Sequence, residues 1–342
     1  MRFREFESSE RRSERFRETL RALFDLDPDL ILLQELNPVS VQGRELVKAL
    51  GGNFLGRVDQ SGVKLFERGF PMNLATGLGI LVRGGVRTID VKSSAGKSLP
   101  SFVRLSGSFG FSGEKMSFHL SEQRYAQFQS VEHETLGRLL IANMHLHHGF
   151  ERFPELLSLL EQAVTDGRVS RDQYEKLMPF LDHARDRRLH EVDRMLEIVH
   201  EHEKSHDGVI LGGDLNSIVS GAAYRMLIAD GFSDVALTKV SLANDGGGPT
   251  WDPIANFENH RVQRELGFEF PLPNFGNPEL TAVYRAFDEK PRRIDFLLIK
   301  GSIALNKSAR LSKVERFGVP PEPNALAPSD HFGVMATFGS SK

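Results

Sequence analysis

Apolar residues in the first half of the chain follow two spacings. Between Ser9 and Pro28 they recur every three or four positions, which predicts an amphipathic helix. The short apolar run Leu30–Leu33 that follows is typical of a buried strand. Five further segments bounded by Gly and Ser clusters are predicted to be strands: 77–82, 86–91, 102–105, 115–120 and 139–146.

Helical spacing dominates the centre of the chain. Residues 153–202 carry it, with Pro154 near one helix start and a Ser170/Gln173 capping box at another. One face of the last helix is predicted to comprise Phe180, Ala184, Val192, Met195 and Val199. The remainder predicts a strand at 209–211, a helix at 222–227, a Gly/Pro/Asn-rich stretch at 244–277, and strands at 294–299 and 332–338. Interleaved helices and strands indicate an α/β or α+β class.

Composition narrows the function classes. The 342 residues allow one large domain or two small ones, and 40% apolar with 26% charged residues is ordinary globular composition. A net charge of −3 excludes a globally basic nucleic-acid coat but leaves a local basic groove open. The absence of cysteine excludes disulfides, thiolate chemistry and Cys-ligated zinc. The charged N-terminal residues do not form a signal peptide and no apolar run is long enough to span a bilayer, so a cytoplasmic location is expected.

Polar residues with catalytic chemistry follow several predicted strands directly. Glu35 follows the run Leu30–Leu33, and His145 lies at the end of the strand that begins at Leu139. Asp214 and Asn216 follow the strand at 209–211. These residues therefore mark the carboxyl ends of their strands.

Other such residues open strands instead. Asp295 opens the strand at 294–299, and Asp330 and His331 open the strand at 332–338. They meet the first group only if the late strands run antiparallel to the early ones, as in a mixed sheet. Four carboxylates at one sheet edge repel one another unless a cation neutralises them, and oxygen ligands favour Mg²⁺ or Mn²⁺.

Five short segments, in this order, resemble the endonuclease/exonuclease/phosphatase superfamily with its DNase I-like fold: Gln34-Glu35, Asn143-Met144-His145-Leu146, Gly213-Asp214-Leu215-Asn216, Arg293-Ile294-Asp295-Phe296 and Ser329-Asp330-His331. The resemblance implies an α/β four-layer sandwich of two packed mixed β-sheets flanked by helices. It further implies one domain over residues 1–342, with a helical insertion at about 151–206. The implied activity is divalent-metal-dependent hydrolysis of a phosphoester.

The resemblance also implies roles for single residues. Glu35 resembles the metal-binding glutamate, Asp214 the carboxylate that aligns or deprotonates the attacking water, and Asn216 the amide that orients it. Asp295 and His331 resemble an Asp–His pair that binds the phosphate. His145 resembles the histidine that assists the leaving group, and Asp330 an additional carboxylate on the metal side.

One departure from the family pattern concerns the first strand. Members begin with a strand carrying a metal-site asparagine, whereas no Asn precedes Asn37 here. Residues 1–6 lead directly into the predicted first helix, so that strand is expected to be missing. We expect either a gene start upstream of Met1 or another segment in its place; the alternative is a divergent N-terminus in which water or a side chain replaces the Asn. A slot left without a strand would be an open apolar groove.

The substrate class is left open by two conflicting resemblances. The segment Thr250-Trp251-Asp252-Pro253 with Asn256 resembles sphingomyelinase-type phospholipases C, which makes Trp251 and Asn256 substrate-binding candidates. Residues 213–217 with 223–224, and residues 328–332, resemble deadenylase-like members. A lipid head group, a small phosphoester and a nucleic acid therefore all remain candidate substrates, and a nuclease or deadenylase is the alternative function.

Two other functional classes and one basic cluster are alternatives to a phosphoesterase site. The run His145-Leu146-His147-His148 resembles the zinc run of metallo-β-lactamase-fold hydrolases, but the Asp expected before its last His is absent. A non-catalytic binding protein that kept the fold is the other rival. The presence of Asp214, Asn216, Asp295 and His331 argues against it, because an idle site has no physical need for all four. Arg185, Arg187 and Arg188 are expected to form a solvated helix face rather than a polyanion site.

Overall fold

Helices and strands alternate along most of the described chain. The computed structural model describes residues 9–36, 39–59, 63–65, 68–70, 77–107, 110–111, 116–119, 123–238, 247–265, 277–305 and 309–340. Within them lie α1 (Ser9–Leu26), α2 (Val39–Leu50), α3 (Pro154–Thr165), α4 (Arg171–His202), α5 (Ala222–Ala229), α6 (Phe257–Glu265), α7 (Pro278–Asp288) and α8 (Ser302–Leu305). No helix in this part of the chain is both long and apolar enough to cross a membrane.

Strands account for most of the remaining regular structure. In chain order they are β1 (Leu30–Leu36), β2 (Asn53–Asp59), β3 (Val63–Leu65), β4 (Arg68–Phe70), β5 (Gly77–Val82), β6 (Val86–Thr88), β7 (Phe102–Ser106), β8 (Gly110–Phe111), β9 (Met116–His119), β10 (Arg124–His133), β11 (Gly137–His145), β12 (Gly208–Asp214), β13 (Ser233–Asp234), β14 (Asp295–Gly301), β15 (Ala309–Phe317) and β16 (Gly333–Ser340).

The largest sheet is mixed, as predicted. Its strand order is β13-β14-β12-β11-β10-β6, with β7 also paired to β10. Strands β11 and β12 are parallel and β12 and β14 are antiparallel, so the late strand β14 runs against β11 and β12. A three-stranded sheet β1-β5-β2, a two-stranded sheet β15-β16 and a small four-stranded sheet complete the β structure.

Three apolar cores give the molecule its layers. Leu23 of α1 and Leu46 of α2 pack on β1 and β5. Ile80 of β5 packs against Ile141 and other residues of the seven-stranded sheet. The opposite face of that sheet packs on α4 and α5, through Met195 among others. The order helix, sheet, sheet, helix is the DNase I-like α/β sandwich that the sequence predicted.

A groove separates two of the sheets. Within the described residues β1 pairs only with β5, and β16 pairs only with β15. The groove between β1 and β16 has a cavity volume of about 320 Å³. Its walls are mostly apolar, including Leu23 of α1, Ile141 of β11 and Val334 of β16. The predicted absence of the family's first strand concerns residues 1–6, which lie outside the described residues.

Several local predictions are confirmed and others are wrong. The first helix ends at Leu26, and the Ser170/Gln173 capping box forms at the start of α4. Phe180 is 48% exposed, so it does not belong to the buried face of α4. Arg188 is fully buried, which contradicts the solvated face expected for its cluster. Strands β10 and β15 and helix α2 were not predicted.

Candidate active site

Three predicted site residues lie in one row across neighbouring strands. His145 at the end of β11 is in register with Asp214 at the end of β12, and Asp214 is in register with Asp295 at the start of β14. The parallel and antiparallel pairings together bring two strand ends and one strand start to the same sheet edge. The Nε2 atom of His145 lies 3.5 Å from Oδ2 of Asp214.

His331 completes this group from the other side. Its Nδ1 lies 2.9 Å from Oδ2 of Asp295, and ligand atoms of Asp214, Asp295 and His331 all lie within 4.8 Å of one another. Burial alone would lower the pKa of His331, but the carboxylates of Asp295 and Asp214 outweigh it and raise the pKa to about 10. The imidazole is therefore held as a cation at neutral pH.

The surroundings of Asp214 disfavour its charged form, whereas those of His331 favour the charged form. Its burial, and then the charge of Asp295, raise its pKa to about 7, against the opposing effect of His331. Glu35 also contributes repulsion at this position. A buried carboxylate with a pKa near neutrality is suited to accept a proton from water.

The donor set fits a divalent metal ion. Asp214, Asp295 and His331 form the compact group, and the charge of Glu35 reaches Asp214. The carboxylates outnumber the one imidazolium, so their mutual repulsion is relieved by a cation. Carboxylate oxygens are the ligands that Mg²⁺ and Mn²⁺ prefer.

Two site residues have a left-handed backbone. Glu35 has φ of 54° and Asn216 has φ of 47°; of the non-glycine residues described, only Asp27 shares this feature. Such conformations are costly for residues with a Cβ and cluster at functional sites. Gly213, just before Asp214, has φ of 146°, and a Cβ there would lie 1.8 Å from the carbonyl oxygen of Met144. Only glycine therefore permits this close packing of β12 on β11.

The backbone around Asp214 is held by hydrogen bonds. The amide N–H of Asn216 donates to Oδ1 of Asp214 over 2.7 Å, and Nδ2 of Asn216 donates to the carbonyl of Leu146 over 2.9 Å. The N–H of Leu146 donates to the carbonyl of Asp214. The ends of β11 and β12 are thus tied together at the site.

Thr250 and Trp251 brace the Asp295–His331 pair. The buried Oγ1 of Thr250 accepts hydrogen bonds from the N–H groups of Ile294 and Asp295, over 3.1 and 3.0 Å. The Trp251 ring is 6% exposed, packs edge-on against His331 at 5.1 Å, and donates its Nε1–H to the carbonyl of Asp288. The sequence motif named Thr250, but nothing in its spacing indicated this bracing role.

Asn256 and Asp330 lie behind the compact group. Nδ2 of the fully buried Asn256 donates to the carbonyl of Ser329 over 2.8 Å. His260 contacts the carbonyl of Asp330 through Nε2. Burial opposes ionisation of Asp330, yet the nearby imidazoles of His331 and His260 contribute to a pKa well below the usual range. Neither Asp330 nor Glu35 is part of the compact group of Asp214, Asp295 and His331.

A buried amide pair links the two main sheets near Glu35. Nε2 of Gln34 donates to Oδ1 of Asn143 over 2.7 Å, and Nδ2 of Asn143 donates to the carbonyls of Leu33 and Gly79. The sequence motifs contained both residues without assigning them a role. The pair fixes the end of β1, which carries Glu35, against β11.

This fold and this acidic, histidine-containing sheet edge define a phosphoester hydrolase of the DNase I-like class. The model of the endonuclease/exonuclease/phosphatase family matches residues 2–331. The chain therefore belongs to that family and is an enzyme that hydrolyses phosphoester bonds.

Solved structures agree with this assignment of the fold. An endonuclease/exonuclease/phosphatase from Bacteroides vulgatus superimposes with a TM-score of 0.52 at 12% identity, covering 96% of this chain and 91% of that one. D. rerio TDP2 complexed with a single-strand DNA product gives 0.50 at 15%, covering 96% and 92%. The mannosyl-6-phosphatase of Bacteroides thetaiotaomicron gives 0.50 at 14%, covering 95% and 91%. Comparison with curated proteins gives no match.

Proposed function

We propose that this protein is a divalent-metal-dependent phosphodiesterase in which a water molecule attacks the phosphorus in line with the leaving group. The single observation that carries the proposal is the apposition of Asp214, Asp295 and His331. It joins a carboxylate of near-neutral pKa to a buried imidazolium, which are the base and the anion-binding group that such a reaction needs.

Asp214 is proposed to orient and deprotonate the attacking water. Its raised pKa supports this role, since a base works best when its pKa lies near the working pH. Asn216 is proposed to orient the water and the phosphate. Its amide, held by the Leu146 carbonyl, adjoins the Asp214 carboxylate through a backbone hydrogen bond.

Two histidines are proposed to stabilise the negative charge that develops on the phosphoryl and leaving-group oxygens. His331, kept cationic by Asp295, would donate a charge-assisted hydrogen bond to a phosphoryl oxygen. His145, in register with Asp214 and close to it, would assist the departing oxygen.

Glu35 is proposed as the main metal-binding residue, with Asp330 as a supporting carboxylate. The repulsion between Glu35 and Asp214 supports the first assignment. Asp330 adjoins His260 and His331, which also supports a role in keeping His331 charged. When bound, Mg²⁺ or Mn²⁺ would polarise the phosphoryl group and lower the pKa of water.

A diester is favoured over a monoester by charge. Asp214 and Asp295 lie in the compact group and the charge of Glu35 reaches Asp214, so a singly charged diester is repelled less than a dianionic monoester. Three substrate classes stay open: a lipid head group, a small phosphoester and a nucleic acid. Trp251 and Asn256 remain substrate-binding candidates, although their contacts also support a role in positioning His331.

Turnover on a defined panel tests the proposal. The panel contains bis-p-nitrophenyl phosphate, p-nitrophenyl phosphate, sphingomyelin, single-stranded RNA, single-stranded and abasic DNA, and mannose 6-phosphate, each with Mg²⁺, Mn²⁺ or EDTA. We expect metal-dependent cleavage of a diester that is lost in Asp214→Asn and retained in the surface control Asp186→Asn. Full turnover in EDTA, or full turnover by Asp214→Asn, would refute the proposal.

A further inference from the structure

A fully buried arginine of α4 donates hydrogen bonds to the loop that follows His145. Nη1 of Arg188 donates to the carbonyls of His147, over 2.8 Å, and of Gly149. Nη2 of the same guanidinium lies 2.9 Å from Oε2 of Glu151. A buried guanidinium that satisfies two carbonyls and one carboxylate fixes the course of the backbone it contacts.

A buried carboxylate of α4, that of Glu191, accepts a hydrogen bond from a backbone N–H group of the same loop. Oε2 of Glu191 accepts the N–H of His147 over 2.8 Å, while Oε1 contacts Arg187 and Ser106. Glu151, at the far end of the loop, accepts the N–H of Ala222 over 2.7 Å. Both ends of the segment 147–151 are therefore anchored to helices.

His148 lies between these anchors, and one of its ring nitrogens has a defined role. Nδ1 of His148 lies 3.0 Å from Nη2 of Arg124, a fully buried residue of β10. A guanidinium can only donate, so Nδ1 is the acceptor and the ring proton is at Nε2.

The His148 ring also borders the candidate active site. It lines a small recess of about 30 Å³, enough for one water-sized group, together with Asn216 and His331. Trp251 and Phe150 form apolar walls of the same recess. A donor on a rigid loop, in a partly apolar recess beside the phosphate-binding imidazole, is suited to contact a substrate oxygen.

We propose that His148 is a further catalytic residue, a neutral imidazole whose Nε2–H donates to an oxygen of the phosphoester substrate. This inference rests on the proposed function. His148 would differ from His331 in kind: Asp295 keeps His331 cationic, whereas Arg124 keeps His148 neutral with a fixed tautomer. The first would stabilise charge, and the second would direct a hydrogen bond.

Three substitutions of His148 distinguish the effect of its N–H donor from the effect of its ring shape. His148→Phe keeps an aromatic ring without a donor, His148→Ala removes the ring, and His148→Gln keeps an acceptor for Arg124 and an N–H donor. We expect kcat to fall about 10²-fold in the Phe and Ala variants, with little change in KM, and to recover to within about 10-fold in the Gln variant. His183→Gln, an exposed histidine of α4, is the control. Wild-type kcat in a folded His148→Phe variant would overturn the proposal.

A measurement without turnover separates this proposal from the proposed function. Long-range ¹H–¹⁵N spectra of the wild-type protein should show the Nε2–H tautomer for His148, and its Nε2 signal should shift when inorganic phosphate is added. An Nδ1–H tautomer, or no shift at phosphate concentrations that shift His331, would overturn the role of His148 even in an active enzyme. If no phosphoester is cleaved, the proposed function fails, and the phosphate titration alone decides whether His148 binds the anion.

Discussion

Nδ1 of His331 and Oδ2 of Asp295 lie 2.9 Å apart although 36 residues separate them in the chain. The contact stabilises the imidazolium and the carboxylate together. The same carboxylate is in register with Asp214, where its charge makes ionisation harder. One aspartate thus raises the pKa values of two adjacent groups, which keeps His331 charged and leaves the neighbouring base Asp214 partly protonated.

Replacing Asp295 by Asn should lower the pKa of His331 from about 10 towards its ordinary value of 6.5. The folded pKa exceeds the unfolded one, so the pair stabilises the fold fully below pH 6.5, and this contribution is lost as pH rises through about 10. Activity of the wild type should likewise fall at alkaline pH. NMR titration of the His331 ring in both proteins checks the shift.

The exposed Asp186→Asn variant is the control for this titration. Removal of the pair should also reduce the rate about 10²–10³-fold. An Asp295→Asn protein with an unchanged His331 titration and an unchanged rate would show that the contact is structural only.

Addition of Mg²⁺ should lower the pKa of Asp214 from about 7, because a nearby cation favours its charged form. Glu35→Gln should weaken Mg²⁺ binding, measured by calorimetry, and activity together. The surface variant Glu134→Gln should bind Mg²⁺ as the wild type does. Equal Mg²⁺ affinity in the Glu35→Gln and wild-type proteins would argue against Glu35 as a ligand.

The sequence allowed the row of site residues to be predicted because each follows or opens a buried strand. Strand ends are visible in an apolar pattern, and a mixed sheet was the one arrangement that gathered them. The left-handed backbone at Glu35 and Asn216 was not predictable, since no local pattern requires it of a non-glycine residue.

The buried charges of α4 escaped prediction for a different reason. Helical periodicity assigns charged residues to the solvated face, so Arg188 was expected outside. Its partner Glu151 lies 37 residues away, beyond any spacing rule. Only the packing of α4 against the loop after β11 reveals that this arginine is an internal anchor.

Arg188→Met should reduce the free energy of unfolding by about 3–5 kcal/mol, because it leaves the Glu151 carboxylate buried without its ion-pair partner. The matched variant Arg185→Met, on a half-exposed position of the same helix, should change it by less than about 0.5 kcal/mol. Chemical denaturation of the three proteins measures both values. Equal stabilities for the two variants would mean that the buried pair contributes nothing.

Thr250→Val should cost about 1–3 kcal/mol of stability, because the N–H groups of Ile294 and Asp295 lose a shared buried acceptor. Activity should fall more than stability alone explains, since Asp295 is no longer held in place. Thr250→Ser keeps the hydroxyl and should retain most of the activity. A Thr250→Val enzyme with wild-type kcat and stability would contradict the bracing role.

The groove between β1 and β16 should accept one added strand. Each of these strands has a ladder partner on one side only within the described residues, and the walls between them are largely apolar. A designed apolar strand joined ahead of α1 would pair with both edges. We expect each kcal/mol gained to raise Tm by about 1–2 °C, from the unfolding entropy of a chain of this length. An extension of equal length with Lys at its apolar positions is the control, and equal Tm values for the apolar extension and this control would show that the groove does not take a strand.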